Sequence, residues 1–228
     1  MRNYILQLDT ATEICSVSIS LEGKTIGQVE ATEPNLHASK LTVFIDQLLS
    51  SLHLQYSELA AVCVSKGPGS YTGLRIGVST AKGLAYALDI PLLAINTLAM
   101  MYAGYNKPRT DNTLFIPMLD ARRMEVYLEV YNSKGDLLVP TEARIIDEHS
   151  FDAYQNNDIV LFGSGAAKLN DLFANKPNIH VDASYVHSSA YMSEIAFEKF
   201  QHGDVEDLIY FEPFYLKEFI AILPKKLI

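Results

Sequence analysis

Two carboxylates stand where chemistry would be looked for first. Asp9 closes the apolar run Tyr4 to Leu8, and Asp120 closes the run Ile116 to Leu119. Two acids at strand ends, facing each other across a cleft, would hold Mg²⁺ or serve as a general base. The competing reading is structural: Asp commonly closes a strand by bonding the turn that follows, and this carries the larger weight. Gly67, Pro68 and Gly69 precede a helical pattern, and a helix N-terminus is a natural anion site. Asp9, Thr10, Gly67 and Gly69 are therefore the candidate nucleotide-binding residues. As a phosphate signal on its own the turn is weak. It fits neither G-x-x-x-x-G-K-[ST] nor G-x-G-x-x-G, and Leu74 and Arg75 follow Gly73 where a Lys would be needed. Arg122 and Arg123 offer cations to a ligand, or an Asp–Arg pair fixes the hairpin there. His37, His53, His149, His180, His187 and His202 are never four apart and no H-E-x-x-H occurs, so spacing points to no metal set. No Ser or Cys nucleophile sits in a recognisable elbow.

The elements that must position these residues centre on 59–88. Leu59 to Val64 is short, apolar and rich in β-branched residues, which suits a strand buried on both faces. After the Gly-Pro-Gly turn, Ser70 or Thr72 is placed to cap a helix in which Leu74, Val78, Ala81, Ala85 and Leu88 recur at helical spacing. Gly73, Gly77 and Gly83 inside it each cost about 1 kcal/mol relative to Ala. Gly73, Gly77 and Ala81 line one smooth face. That face suits either close packing on the protein's own sheet or a helix of another chain. Upstream, Tyr4 to Leu8, Cys15 to Leu21 and Thr25 to Ala31 read as three strands with a turn at Gly23. After a break at Pro34 and Asn35, Leu41, Phe44, Ile45, Leu48, Leu49 and Leu52 mark an amphipathic helix.

Composition bounds the rest. The 228 residues are 49% hydrophobic and 20% charged, with formal net charge −9. That profile is an ordinary globular one and a poor one for gripping a nucleic-acid backbone unaided. No run of about 18 apolar residues is available to span a membrane, and the N-terminus does not read as a signal peptide. Cys15 and Cys63 lie in strand-like runs and form neither a metal pair nor a disulfide framework. Buried free thiols in a reducing cytoplasm are the expectation.

The pattern then repeats. Tyr105 to Asn112 is the best boundary, dividing the chain into units 1–104 and 105–228. Beyond it, Ile116 to Asp120, Glu125 to Tyr131, Leu137 to Ile145 and Ile159 to Gly165 follow the order of the first unit. Ala166 to Phe173 reads as a short helix and Ala190 to Gln201 as another. An ordered repeat of this kind implies two related α/β domains, the second reduced. The apolar tail Ile209 to Ile228 either packs back across the body, the favoured reading, or forms an interaction surface.

Three segments carry a resemblance: L-D-T-A-T-E-I-C-S-V-S-I from Leu8, G-P-G-S-Y-T-G-L-R-I-G-V-S-T-A-K-G-L-A from Gly67, and D-A-R-R-M-E-V-Y from Asp120. Together they closely resemble the TsaB (YeaZ) family, densely over the first unit and thinly after Tyr131. The resemblance implies a duplicated actin/hexokinase-like (ASKHA, RNase H-like) fold. It also implies a non-catalytic, pseudo-enzyme subunit of the bacterial machinery that makes N6-threonylcarbamoyladenosine (t6A) in tRNA. Such a subunit binds the catalytic paralogue TsaD together with the ATPase TsaE. ATP and metal are then expected on the partner, tRNA contact only through the complex, and a homodimer when the chain is alone. The metal-holding segment of the catalytic relative has the form N-H-x-x-x-H. Here it reads Asn96 to Met101, with Thr97 and Met101 where the histidines would stand, and these are poor replacements for imidazole. The implied partner interface is Leu41 and Phe44 with Gly73, Leu74, Gly77, Val78 and Ala81. Two other function classes remain: a small ATP-dependent kinase or ATPase of the same fold, favoured by Asp9 and the glycine turn, and a metalloprotease, opposed by the missing histidine pair.

Overall fold

The first sheet grows around β1 (Tyr4–Asp9), all six of whose residues are buried. β2 (Cys15–Leu21) and β3 (Lys24–Ala31) meander antiparallel from it, while β4 (Leu59–Gly67) and β5 (Leu92–Asn96) run parallel on its other side, giving the order β3-β2-β1-β4-β5. Parallel neighbours require crossovers, supplied by α1 (His37–Ser51) and α2 (Tyr71–Leu88). Strand side chains alternate between faces. Leu6, Leu8, Val62 and Val64 meet Leu41, Ile45, Leu48, Val78, Ala81 and Ala85 of those two helices. Ile5, Ala61, Cys63, Leu93 and Ile95 point the other way, towards α3 (Thr97–Ala103) and later parts of the chain. The structure is a computed structural model that describes residues 2–32, 37–106 and 110–217. The expected breaks at Pro34, Asn35 and Pro108 lie outside the described residues.

The second sheet repeats the plan. β6 (Thr113–Asp120), β7 (Glu125–Asn132), β8 (Leu137–Ile145), β9 (Asp158–Phe162) and β10 (Ile179–Asp182) lie in the order β10-β9-β6-β7-β8, the same topology strand for strand. Its crossovers are short. A 3₁₀ turn at Ala167–Leu169 runs into α4 (Asn170–Phe173), where the sequence reads as one helix.

The chain after the expected boundary at 105 is shared between the two sheets. Residues 105–228 do not form one contiguous unit, because α5 (Ser193–His202) returns to the first sheet. There Met192 and Ala196 pack on Ile5, Ala61, Cys63 and Leu93, a face that seven-residue α3 leaves partly uncovered. The described part of the tail follows it back. Glu206 bridges Leu92, Leu208 and Phe211 pack on the first core, and the Phe214 N–H donates to the Lys66 carbonyl at 2.7 Å. Residues 218–228 of that tail lie outside the described residues.

Candidate functional site at the strand ends

Open α/β sheets bind ligands beyond the carboxyl ends of their parallel strands. Here Asp9, Ser65 and Thr97 lie at those ends, and all three are fully buried. Asp9 is used internally. Its Oδ1 accepts from the Ala11 N–H at 3.1 Å and from the Ser65 hydroxyl, and the His187 Nε2 lies 2.5 Å from its Oδ2. Burial pushes the Asp9 carboxyl up, but the His187 charge and these hydrogen bonds outweigh it and hold the group below the usual carboxylate range. His187 comes from the stretch after β10, so the second unit plugs the strand-end crevice of the first. It sits in S-Y-V-H-S-S with no local signal, and sequence reasoning missed it. Among the described residues the buried hydroxyls of Thr97 and of Tyr185, two residues earlier, find no hydrogen-bond partner, and neither do the His187 ring nitrogens or Asp9 Oδ2, whose 2.5 Å approach is a close contact without hydrogen-bond geometry.

Asp120 does not face Asp9 as a second carboxylate. It is exposed, it pairs with Lys168, and its Oδ1 accepts from the Arg122 N–H at 2.9 Å. Partial burial pushes its carboxyl up, and the Lys168 and Arg122 hydrogen bonds more than offset this. Both acids therefore close the turn that follows their strand, and each is spent on its own partners.

The glycine turn is closed by the chain itself. The Ser70 N–H donates to the Ala11 carbonyl and the Thr10 hydroxyl to the Gly73 carbonyl, both at 2.7 Å. A Cβ on Gly69 would lie 2.4 Å from the Ala11 carbonyl oxygen, and one on Gly67 2.6 Å from that of Phe214. The four candidate nucleotide residues thus come together, but chain backbone fills the space that a phosphate would need.

The expected partner face is corrected in the same way. Leu41, Gly73, Leu74, Gly77, Val78 and Ala81 are all buried, and only Phe44 is half-buried. A Cβ on Gly73 would lie 2.0 Å from the Thr10 carbonyl oxygen, and one on Gly77 2.3 Å from the Thr10 Oγ1. The smooth face admits the β1–β2 turn of the same molecule. The outward side of α1 and α2 carries other residues. Val43 and Tyr86 are exposed, and nothing lies within 4 Å of a Cβ built on Gly83.

At the start of α3, the Asn96 carbonyl oxygen caps the helix by accepting from Leu98 and Ala99. Its amide donates to Thr141 Oγ1 at 2.8 Å, and Thr141 in turn donates to the buried Glu129 at 2.5 Å, which ties the two units together. Burial raises the Glu129 carboxyl, although Thr141 and Tyr131 donate to it. Met101 is buried against Gly163. Among the described residues no three His, Cys, Asp or Glu side chains gather to hold a metal ion. Cys15 and Cys63 are free and buried, and burial pushes the Cys15 thiol up to about 11. No helix among the described residues is long and apolar enough to cross a membrane.

Comparison with known proteins accords with this architecture. The family model of TsaD, tRNA N6-adenosine threonylcarbamoyltransferase, matches residues 32–221. The tRNA threonylcarbamoyladenosine biosynthesis protein TsaB of Haemophilus influenzae is 28% identical over 93% of each chain. The solved structure of YeaZ from Pseudomonas aeruginosa is 27% identical with a TM-score of 0.75, covering 94% of this chain and all of that one. The Lmo2764 protein of Listeria monocytogenes, a candidate N-acetylmannosamine kinase, is 10% identical with a TM-score of 0.50 over 90% of this chain. That likeness concerns the fold alone, which is the actin/hexokinase-like one.

Proposed function

Since the chain belongs to the TsaB (YeaZ) family, we propose that it serves tRNA N6-threonylcarbamoyladenosine biosynthesis as a non-catalytic subunit. In this reading it binds and activates a TsaD-like paralogue together with a TsaE-like ATPase in the cytoplasm. The observation that carries the non-catalytic part is the Asp9–His187 contact. The acid at the strand-end crevice is fully buried, faces His187 and accepts from the Ser65 hydroxyl, which supports a structural role for it. The glycine turn is packed on Thr10 and Ala11, which also weighs against the alternative of a small ATP-dependent kinase or ATPase. ATP and metal then belong to the partner, and tRNA is met only in the complex.

The docking surface follows from the corrected helix geometry. Gly83 sits in the middle of α2 at a cost of about 1 kcal/mol in helix propensity, and no described residue packs within 4 Å of a Cβ placed there. An open glycine on α2, with Tyr86 exposed one turn on and Val43 exposed on α1, suits a partner helix. The same surface would form a homodimer when the paralogue is absent. The test is reconstitution. Alone, the chain should transfer no threonylcarbamoyl group to tRNA and hydrolyse ATP only at background. With the paralogue and the ATPase, modification should appear. Gly83→Leu should stay folded by thermal melting, yet fail to assemble in light scattering and fail to support modification. Modification by the lone chain would overturn the subunit reading, and undiminished assembly by Gly83→Leu would overturn the surface.

A further inference from the structure

The turn between β6 and β7 holds two consecutive non-glycine residues in the left-handed region. Arg122 has φ 73° and Arg123 φ 53°. Side chains bearing a Cβ are disfavoured there, and Gly or Asn adopts such φ values at the least cost. The β2–β3 and β7–β8 hairpins place Gly23 and Gly135 at positive φ, the former beside Glu22 at φ 51°. Only the β6–β7 tip keeps two arginines in the place of glycine.

The surroundings hold this turn rather than relax it. Asp120 accepts from the Arg122 N–H at 2.9 Å, and the Ala121 N–H donates to the Glu125 carbonyl at 3.1 Å. Lys168 pairs with Asp120 and donates to the Glu125 carbonyl at 2.6 Å, while Lys217 pairs with the Glu125 carboxylate. The two acids at the base of the tip are thus neutralised by lysines. The two guanidinium groups are exposed, and neither has a hydrogen bond or ion pair with a described residue. On a chain of formal net charge −9 these are two adjacent exposed cations, of which Arg122 also acts on the Asp120 carboxylate. Strain that the surroundings maintain at a surface tip marks a functional position.

We propose that Arg122 and Arg123 grip backbone phosphates of the RNA that the assembled complex modifies. This rests on the subunit reading above and names residues of this chain that reach the RNA. A guanidinium offers forked donors that match two phosphate oxygens. A net charge of −9 repels a polyanion on average, so an exposed pair of arginines is a part able to approach one. Phosphate contacts of this kind position the RNA without reading its sequence.

The test replaces the strained pair with the unstrained one, R122N/R123G, with R122K/R123K as the charge-retaining control. Assembly of the complex is measured first, by light scattering, and then tRNA binding across a salt series. R122N/R123G should raise the melting temperature of the isolated chain by several degrees and leave assembly unchanged. It should also weaken tRNA binding several-fold and shrink the log–log salt slope by roughly 1.4 to 1.8 for two lost phosphates. The lysine pair should keep the salt slope and most of the binding. Unchanged affinity and slope in an intact complex would overturn this proposal alone. Lost assembly would assign the tip to a protein partner and overturn it as well. A wild-type chain that forms no complex would overturn the subunit reading, and this inference with it.

Discussion

The same substitution, Gly to Ala, should change sign along α2. At Gly83 a new Cβ meets nothing within 4 Å, so only helix propensity acts, and Gly83→Ala should stabilise by about 1 kcal/mol. At Gly73 the Cβ would lie 2.0 Å from the Thr10 carbonyl oxygen. That is a backbone atom of the turn that also orients Asp9, and it cannot step aside alone. Overpacking of this kind costs roughly 1–3 kcal/mol or more. Moving Thr10 also strains its hydrogen bond to the Gly73 carbonyl, worth about 1 kcal/mol. Set against the propensity gain, Gly73→Ala should destabilise by roughly 1–3 kcal/mol. For a chain of this size about 1 kcal/mol moves the melting temperature by 2–4 °C. Gly73→Ala should therefore melt roughly 3–10 °C lower, and Gly83→Ala roughly 2–4 °C higher. Gly77 gives the internal control. Its Cβ would meet the Thr10 Oγ1 at 2.3 Å, but the next atom, Thr10 Cβ, only at 3.5 Å. Gly77→Ala should cost stability in the wild type and stop doing so in a Thr10→Ala background, a non-additive cycle. The assay is calorimetry or circular dichroism on the isolated chain at dilution. Stabilisation by Gly73→Ala equal to that of Gly83→Ala would refute the inward glycine face.

Two further outcomes concern buried acids. Asp9→Asn removes the carboxylate that accepts from Ser65 and Ala11 and faces His187, and should destabilise by about 1–3 kcal/mol in urea titrations at neutral pH. The Asp9 carboxyl is held below its unfolded value, so its share of stability is present above that unfolded value and is lost as pH falls through the folded one. Asp9→Asn should accordingly flatten the acid limb of the stability profile, and an unaltered acid limb would refute the pairing. Glu129 is the opposite case. Burial raises its folded value, so its share is full below the unfolded value and is lost as pH rises through the folded one. Glu129→Gln should be more stable than wild type at neutral pH, with the gain vanishing in acid; a gain that persists at low pH would count against a buried charge as its cause.

The regular elements and their duplication were legible in the sequence because they rest on short-range patterns. Period-two alternation marked Cys15–Leu21 and Glu125–Asn132, and helical periodicity marked α1 and α2. The repeated order of strands announced two sheets of one topology. Asp9 and Asp120 were also legible as the residues that end their strands, since a side chain bonding a turn two residues on is a local event. Only the tertiary structure decided what those features face. The glycine stripe suits any close neighbour, and whether that neighbour is Thr10 or another chain depends on how α2 seats on its sheet. The α5 helix follows the second sheet in sequence and packs on the first, because that is where apolar area remained uncovered. His187 carries no pattern of its own. It becomes the partner of Asp9 only when the chain after β10 is brought across the crevice. That contact between distant segments sets Asp9 inside the fold, fully buried between the Ser65 hydroxyl and the His187 ring.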